Sequence, residues 1–296
     1  MSRPLPRPLT ELPIRRLTRG DLVPCADLCE DRGWPRDEHR WALLLSAGTG
    51  YGIDDPDGKG LMASCVVTSY GPRLSAIGML LVAERYARQG VARHVMRYVI
   101  DSAGATPLSL YATSQGRPLY EALGFERVGS AIRVGGRFRP TGDAPVETPA
   151  GRAVTTRQAT AGDLPAILRL DAEVFGADRT HLLARLPAFS DRLWVAEGHD
   201  GLIGYAGLWP SGSAHVVGPL IARDTTTAKM LVDSLAGATD RPLRADLNAR
   251  HGELIDWLVS QGLEPVGSGT TVMTYRDARL PGDSNRRFAP LTVATG

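Results

Sequence analysis

Two short words occur twice in this chain, in the same order and at nearly the same separation. RRLTRGDL (residues 15–22) returns as RQATAGDL (157–164), so that Thr18, Gly20, Asp21 and Leu22 recur as Thr160, Gly162, Asp163 and Leu164. LGFERVGS (123–130) returns as QGLEPVGS (261–268). Each first word reads as a strand, a turn with a Thr or Asp placed to cap, and then a helix. Each second word follows a helical stretch, GRPLYEAL in one case and GELIDWLV in the other. Recurrence at a fixed period points to a duplicated structural unit, the alternative being coincidence of short words. The 296 residues are comfortable for two domains. The expected division is 1–138, a linker over 139–150, and 151–296. The linker RPTGDAPVETPA is rich in Pro, Gly and Thr and has no apolar period.

Within each unit, strands and helices alternate. ASCVVTSY (63–70) and SAIGMLLVA (75–83) are close-set strands joined by a turn containing GPR, the pattern of a hairpin. SLYAT (109–113) is a further strand. IGYAGLW (203–209) and AHVVGPLIA (214–222) repeat the hairpin in the second unit. The class is α/β, a mixed sheet flanked by helices. A net charge of +2 is far from the basic stripe of a nucleic-acid binder, so no nucleic-acid partner is expected. No apolar run approaches the roughly 18 residues of a membrane helix, so no membrane partner is expected either. The N-terminal MSRPLPRPLTELP lacks the apolar core of a signal peptide. Of the three cysteines, Cys25 and Cys29 are spaced to pack side by side on a helix, and Cys65 stands apart. This is no disulfide framework, which favours a reducing, cytoplasmic setting. The six histidines show no ligand spacing, and no metal is expected.

The apolar run IGMLLVA (77–83) leads into ERYARQGVARHVM (84–96), a turn with Gly90 among Arg85, Arg88 and Arg93 that opens a helix. A helix N-terminus carries unpartnered N–H groups and partial positive charge, which suits phosphate. Glycine lets a pyrophosphate approach and tolerates unusual dihedrals. Taken alone, the turn is equally compatible with an ordinary strand–turn–helix connection bearing solvated arginines.

A second segment, LYATSQGRPLYEALGF (110–125), combines a strand, a small-residue turn, a helix carrying Tyr120, and Gly124-Phe125. Together the two segments resemble the GCN5-related N-acetyltransferase (GNAT) family. That pattern is a strand, Gln/Arg-x-x-Gly-x-Gly/Ala, a helix, and a later helical Tyr just before Gly-Phe. Val82 matches the strand valine, Ala87, Gly90 and Ala92 hold the three signature positions, and Tyr120 matches the tyrosine. Ala87 departs from the usual Gln or Arg, and Thr113 stands where Asn is frequent. Over most of its length the chain is similar to bacterial tandem members of the family, with DAEVFGADR (171–179) and GPLIARD (218–224) in the second unit.

The resemblance implies two tandem GNAT-like domains, each a mixed, mostly antiparallel sheet flanked by helices, with the first catalytic. It implies direct transfer of an acetyl group from acetyl-CoA, as co-substrate, to a primary amine of a small molecule. A non-catalytic acyl-CoA-binding or regulatory module is the alternative. The implied cofactor-binding residues are Leu80, Leu81, Val82, Ala87, Arg88, Gln89, Gly90, Val91, Ala92, Arg93 and Thr113. A backbone N–H near Leu81-Val82 would polarise the thioester carbonyl. Tyr120 would act as acid toward the departing sulfur, or else simply pack on the sheet. Trp34 and Tyr70 are candidate acceptor-side aromatics or, alternatively, anchors of their own segments. Glu30, Asp31, Asp37 and Glu38 read as solvated helix charges or as acceptor-site groups. Glu173, Asp178 and Arg179 either face the acceptor or, in the case of Asp178 and Arg179, form a helix-start salt bridge or cap. No general base is evident, and a homodimer is possible.

In the second copy, VGPLIARDTTTAKMLVDSL (217–235) has no glycine at the turn and is a few residues shorter there. Leu258 stands where the first copy has Tyr120. The second copy is therefore expected not to catalyse. Its expected roles are closing the substrate site, shaping specificity or mediating dimerisation.

Overall fold

The computed structural model describes residues 8–140, 154–277 and 279–296. The first unit runs β1 (Arg15–Leu17), α1 (Leu22–Asp31), α2 (Glu38–Ala47), β2 (Thr49–Asp54), β3 (Leu61–Ser69), β4 (Ser75–Val82), α3 (Val91–Ser102), β5 (Leu108–Ala112), α4 (Arg117–Glu121) and β6 (Glu126–Gly136). The second runs β7 (Thr155–Gln158), α5 (Leu164–Phe175), α6 (Thr180–Leu183), α7 (Leu186–Phe189), β8 (Arg192–Gly198), β9 (Gly201–Ser211), β10 (Ala214–Ala222), α8 (Thr225–Ala236), β11 (Leu243–Asn248), α9 (Gly252–Ser260), β12 (Glu264–Pro265), β13 (Thr270–Tyr275) and β14 (Arg287–Ala289).

The repeated word at the start of each unit is a capping device. The Thr18 N–H donates to Asp21 Oδ2 at 2.8 Å, and the Arg15 guanidinium grips the same carboxylate at 2.7 Å. Thr160, Asp163 and Arg157 repeat the arrangement at 2.7 and 2.8 Å. In both places a carboxylate ties the end of a strand to the start of a helix. Helix α3 shows why its sequence folds so: Val91, Val95, Met96, Val99 and Ile100 fall on one buried face at helical spacing.

All the strands join one mixed, mostly antiparallel sheet, in the order β1-β2-β3-β4-β5-β13-β6-β11-β10-β9-β8-β7, with β12 on β6 and β14 on β10. Each unit lends a strand to the other. β13 pairs with β5 over Thr271–Tyr275, and β6 pairs with β11 from Ala131↔Asn248 to Gly136↔Leu243. Residues 141–150 of the expected linker lie outside the described residues, and the hydrogen bonding crosses that expected division. The exchange covers edges that each unit would otherwise expose.

The site is positioned by a wedge that the fold builds twice. β4 and β5 are parallel partners only from Ser75↔Leu108 to Ile77↔Leu110. A bulge then shifts the β3–β4 register between Ser64 and Val66, and Met79 takes a positive φ of 52°. The Ser64 hydroxyl pins the bulge by donating to the Met79 carbonyl at 3.0 Å. A bulge bends its strand, so β4 leaves β5 and a gap opens. In the second unit, β10 and β11 pair only from His215↔Leu243 to Val217↔Ala245, and β10 slips against β9 between Val217 and Leu220.

The two wedges differ in content. The second is closed by the chain itself: β14 pairs with β10 through Leu220↔Ala289 and Ile221↔Arg287, and the Ala222 N–H donates to the Arg286 carbonyl at 3.1 Å. The following residues cross both glycines at the bulges. A Cβ on Gly218 would meet the Pro290 oxygen at 2.4 Å, and one on Gly78 would meet the Ala294 Cα at 2.5 Å. Gly78→Val therefore displaces this tail. It is expected to cost about 1–3 kcal/mol in chemical denaturation, as overpacking does.

A third hydrophobic cluster joins the units, with Leu43, Tyr70, Leu74 and Ala76 packed against Ile167, Phe175, Leu182 and Trp209. The Trp209 indole N–H donates to the Leu291 carbonyl at 3.2 Å, fastening the tail to this cluster. The three cysteines are free and buried, and the Trp41 indole N–H points at the Cys29 sulfur at 3.2 Å. Among the described residues no helix is long and apolar enough to cross a membrane.

Candidate functional site

The wedge beside β4 widens into a cleft of about 1120 Å³, lined by residues 77–82 of β4, the turn after it, the start of α3, residues 113–116 and Tyr120. The backbone of β4 is presented to it. The Ala83 N–H donates to the Met62 carbonyl at 2.9 Å, and Val82 lies opposite Ala63. Alternation along an antiparallel ladder then directs the Leu81 N–H toward β3 and the Val82 N–H into the cleft. On the second unit's equivalent strand the outward N–H, that of Ala222, is consumed by Arg286.

At the far end of the cleft, residues 83–90 form an open turn. Arg88 and Gly90 take positive φ values of 60° and 84°. Gly90 is the N-cap residue of α3 and gives it no side-chain cap. Among the described residues no hydrogen bond engages the N–H groups of Val91, Ala92 and Arg93. A twelve-residue helix thus points uncapped amides and its positive pole at the cleft, flanked by Arg88 and Arg93. The turn is held from behind by Asp55, which pairs with Arg85 and accepts a hydrogen bond from the Tyr86 hydroxyl at 3.1 Å.

The second unit treats the same position in the opposite way. Only Arg223 and Asp224 separate β10 from α8, a shorter connection than the sequence comparison suggests. Asp224 accepts from the Thr227 N–H at 2.8 Å and from its hydroxyl at 2.7 Å. Burial opposes ionisation of this carboxyl, but the Thr227 and Arg223 hydrogen bonds outweigh it and hold its pKa below the usual range. The helix pole already carries an anion of its own. Asp224→Ala is expected to cost about 1 kcal/mol of stability, the ordinary loss for an N-cap, measured by denaturant titration.

Tyr120 sits where α4 meets the cleft, only 9% exposed, its ring edge-to-face with Phe125 at 5.9 Å. Its hydroxyl has no hydrogen-bond partner among the described residues. Burial raises its pKa well above the ordinary tyrosine value, so the phenol keeps its proton. Cys65, also near this ring, is fully buried and its thiol is pushed up to about 12. It is therefore an inert packing group. Thr113 lines the cleft, and its hydroxyl oxygen accepts the Gly116 N–H at 3.1 Å, which turns the chain into α4.

The residues expected from the sequence thus converge on one cleft: Leu80, Leu81, Val82, Ala87, Arg88, Gly90, Val91, Ala92, Arg93, Thr113, Tyr120 and Trp34 all line it. Two do not. Gln89 turns back and donates to the Arg85 carbonyl at 3.0 Å. Tyr70 is no acceptor wall: it is 2% exposed, edge-to-face with Phe175, and its hydroxyl donates to the Thr295 carbonyl. The second unit covers the strand end on which it stands. The acidic candidates are likewise engaged elsewhere. Asp31 accepts from the Glu84 N–H at 2.6 Å, Glu30 and Glu38 bind Arg36, and Asp37 caps α2 and takes the Ser211 hydroxyl at 2.7 Å. Asp178 caps at Thr180, whereas Arg179 pairs with the buried Asp171 and not with Asp178.

A second cavity, of about 330 Å³, lies between the two units and shares Tyr111 with the cleft. Strand alternation places Ser109 and Tyr111 on the cavity side of β5 and Leu108, Leu110 and Ala112 in the first unit's core. Sequence reasoning missed Tyr111, whose β-strand position carries no motif, and Asp224, whose Asp-Thr-Thr-Thr spacing is a readable helix-cap signal.

Sequence patterns described as acetyltransferase (GNAT) domain match residues 65–137 and 167–289. The chain is 33% identical over 275 residues to the uncharacterized N-acetyltransferase YitH of Bacillus subtilis, covering 91% of this chain and 93% of that one. Among solved structures it is similar to a candidate acetyltransferase from Pyrococcus horikoshii, with a TM-score of 0.77, 16% identity and coverage of 96% and 95% of the two chains. It is also similar to a tandem GNAT protein from the clavulanic acid biosynthesis pathway, with a TM-score of 0.62, 15% identity and coverage of 92% and 100%.

Proposed function

The chain belongs to the GNAT acetyltransferase family, and from that premise we propose that its first unit transfers an acetyl group from acetyl-CoA directly to the primary amine of a small molecule. The observation that carries this reading is the contrast between the two wedges. One presents a free strand edge, uncapped helix amides and a protonated phenol in a single cleft, and the other has a filled strand edge, a capped helix and Leu258 in place of the tyrosine. The residues fit acetyl-CoA: the α3 amides with Arg88 and Arg93 suit its pyrophosphate, and the Val82 N–H suits an amide of its pantetheine arm. Ala87 at the first signature position does not disturb this, because backbone N–H groups make the cradle.

When bound, acetyl-CoA supplies a thioester whose cleavage needs an incoming amine and a stabilised leaving thiolate. Holding amine and thioester in line provides much of the rate. Tyr120 donates its proton to the departing sulfur, a role for which a raised pKa keeps it ready at neutral pH. Among the described residues no histidine lines the cleft or the adjoining cavity, and Glu84, the one side-chain carboxylate among them in either wall, is paired with Arg32. The amine accordingly loses its proton to water. The pH profile of kcat/KM is expected to rise along the acceptor's own ionisation. A plateau set by a group titrating near pH 6–7, unchanged between amines of different pKa, would show a protein base instead.

Thiol release from acetyl-CoA, measured against a panel of primary amines, tests the proposal. Amine-dependent release supports it, and tight acetyl-CoA binding without release from any amine identifies a binding module. The boundaries 1–138, 139–150 and 151–296 are proposed as limits of the sequence repeats, with β6 and β13 exchanged across them.

A further inference from the structure

The cavity between the units, next to the cleft, has an unusual lining. It contains four arginines, Arg179, Arg250, Arg279 and Arg287, and no aspartate or glutamate among the described residues. Arg179 is satisfied: it is 2% exposed, binds Asp171 at 2.5 and 3.0 Å, and donates to the Gly296 carbonyl at 3.2 Å. Asp171 is spent on this pair and on the Tyr205 hydroxyl at 2.5 Å. Arg250 is held at the rim by Ser284 and Asn285. Arg287 differs. Its guanidinium lies 5.2 Å from the centre of the Phe175 ring, its Nη2 is buried without a hydrogen-bond partner, and among the described residues it forms no ion pair.

Burial lowers its pKa, with Arg179 and Arg250 adding to the effect and the nearby Tyr111 opposing it. A guanidinium remains charged at neutral pH regardless. An unpaired, largely buried cation is costly, and a bound anion would offset that cost. Arg287 stands at the start of β14, the strand that closes the second unit's wedge, so the segment that shuts one slot also furnishes the cavity between the units. Tyr111 connects the two spaces, just beyond the last paired residues Ile77 and Leu110, where the wedge opens.

We infer that the acceptor is an amine that also carries an oxyanion, a carboxylate or a phosphate, held by Arg287 in the cavity between the units while its amine reaches past Tyr111 to the cleft. This rests on the transferase reading above. It makes Arg287 a specificity-determining residue supplied by the second unit.

The test uses the full chain, acetyl-CoA and matched amines: amino acids and their methyl esters, phosphoethanolamine and ethanolamine, amino sugars and polyamines. The best acceptors are expected to bear an acid, and masking it is expected to raise KM about 10- to 100-fold, the loss of a charge-assisted contact. Carboxylated against phosphorylated members of the panel identify which oxyanion is taken. Arg287→Gln is expected to raise KM for the acid far more than for its ester, and Arg287→Lys to recover part of the loss. Melting temperature is expected not to fall in Arg287→Gln, because an unpaired buried charge is removed. Preference for amino sugars or polyamines, or equal effects of Arg287→Gln on acid and ester, overturns the inference. Should no amine release thiol, the transferase reading fails separately, and calorimetry with N-acetylglycine and with inorganic phosphate reads the cavity directly. Binding lost in Arg287→Gln then sustains the anion site, and no binding of either probe to wild type at about 10 mM, where even millimolar affinity gives near-saturation, overturns it.

Discussion

Gly90→Glu is expected to lower acetyl-CoA affinity at least about 100-fold, or roughly 3 kcal/mol. Three effects act together. Gly90 holds a φ of 84°, which any residue with a Cβ adopts at a cost of order 1 kcal/mol. A Cβ there would also approach the Thr10 methyl group at 3.0 Å. Above all, the new carboxylate would stand at the uncapped pole of α3, satisfying the amides that the proposed function assigns to phosphate and repelling the pyrophosphate. The second unit already carries this arrangement in Asp224. Calorimetry on the folded variant measures the effect. Gly90→Ala keeps the anion-free pole and is expected to show a smaller loss, which separates strain from charge. An affinity within threefold of wild type in Gly90→Glu would mean that the cradle is not the phosphate site.

Tyr120→Phe is expected to lower kcat about 100-fold or more, within the usual range for a lost general acid, while acetyl-CoA affinity changes little. The ring is 9% exposed and packs on Phe125, and phenylalanine preserves both shape and contact. The hydroxyl bonds to no other described group, so its removal leaves no buried partner unsatisfied and stability is expected to hold. The sign of the pH effect follows from burial. A raised phenol pKa means that the acid form persists through neutral and mildly alkaline pH, so loss of activity through this group begins only in strongly alkaline solution. Unchanged kcat in Tyr120→Phe would reduce the tyrosine to a packing residue.

Much of this was legible in the sequence for identifiable reasons. The capping words at Thr18–Asp21 and Thr160–Asp163 exposed the duplication because a cap needs fixed side chains at fixed spacing. The hairpins of β3–β4 and β9–β10 followed from close-set apolar runs and short turns. The open turn before α3 was visible because Gly90 holds a φ of 84°, a backbone state few other residues tolerate. What escaped were long-range consequences. Nothing local says that β13 will pair with β5 of the other unit, or that a two-unit sheet will be continuous. Tyr70 reads as a strand-end aromatic until the second unit covers it, and nothing near Arg287 in the sequence says that β14 will pair with β10. Gln89, inside a recognisable motif, simply points away from the cleft.

On the proposed function the chain has one acetyl-CoA site, in the first unit, because the second wedge is occupied by β14 and its helix pole by Asp224. Equilibrium calorimetry of acetyl-CoA on the full chain counts the sites directly. One site per chain is expected, abolished by Gly90→Glu. Two sites per chain, or one that survives Gly90→Glu, would contradict it.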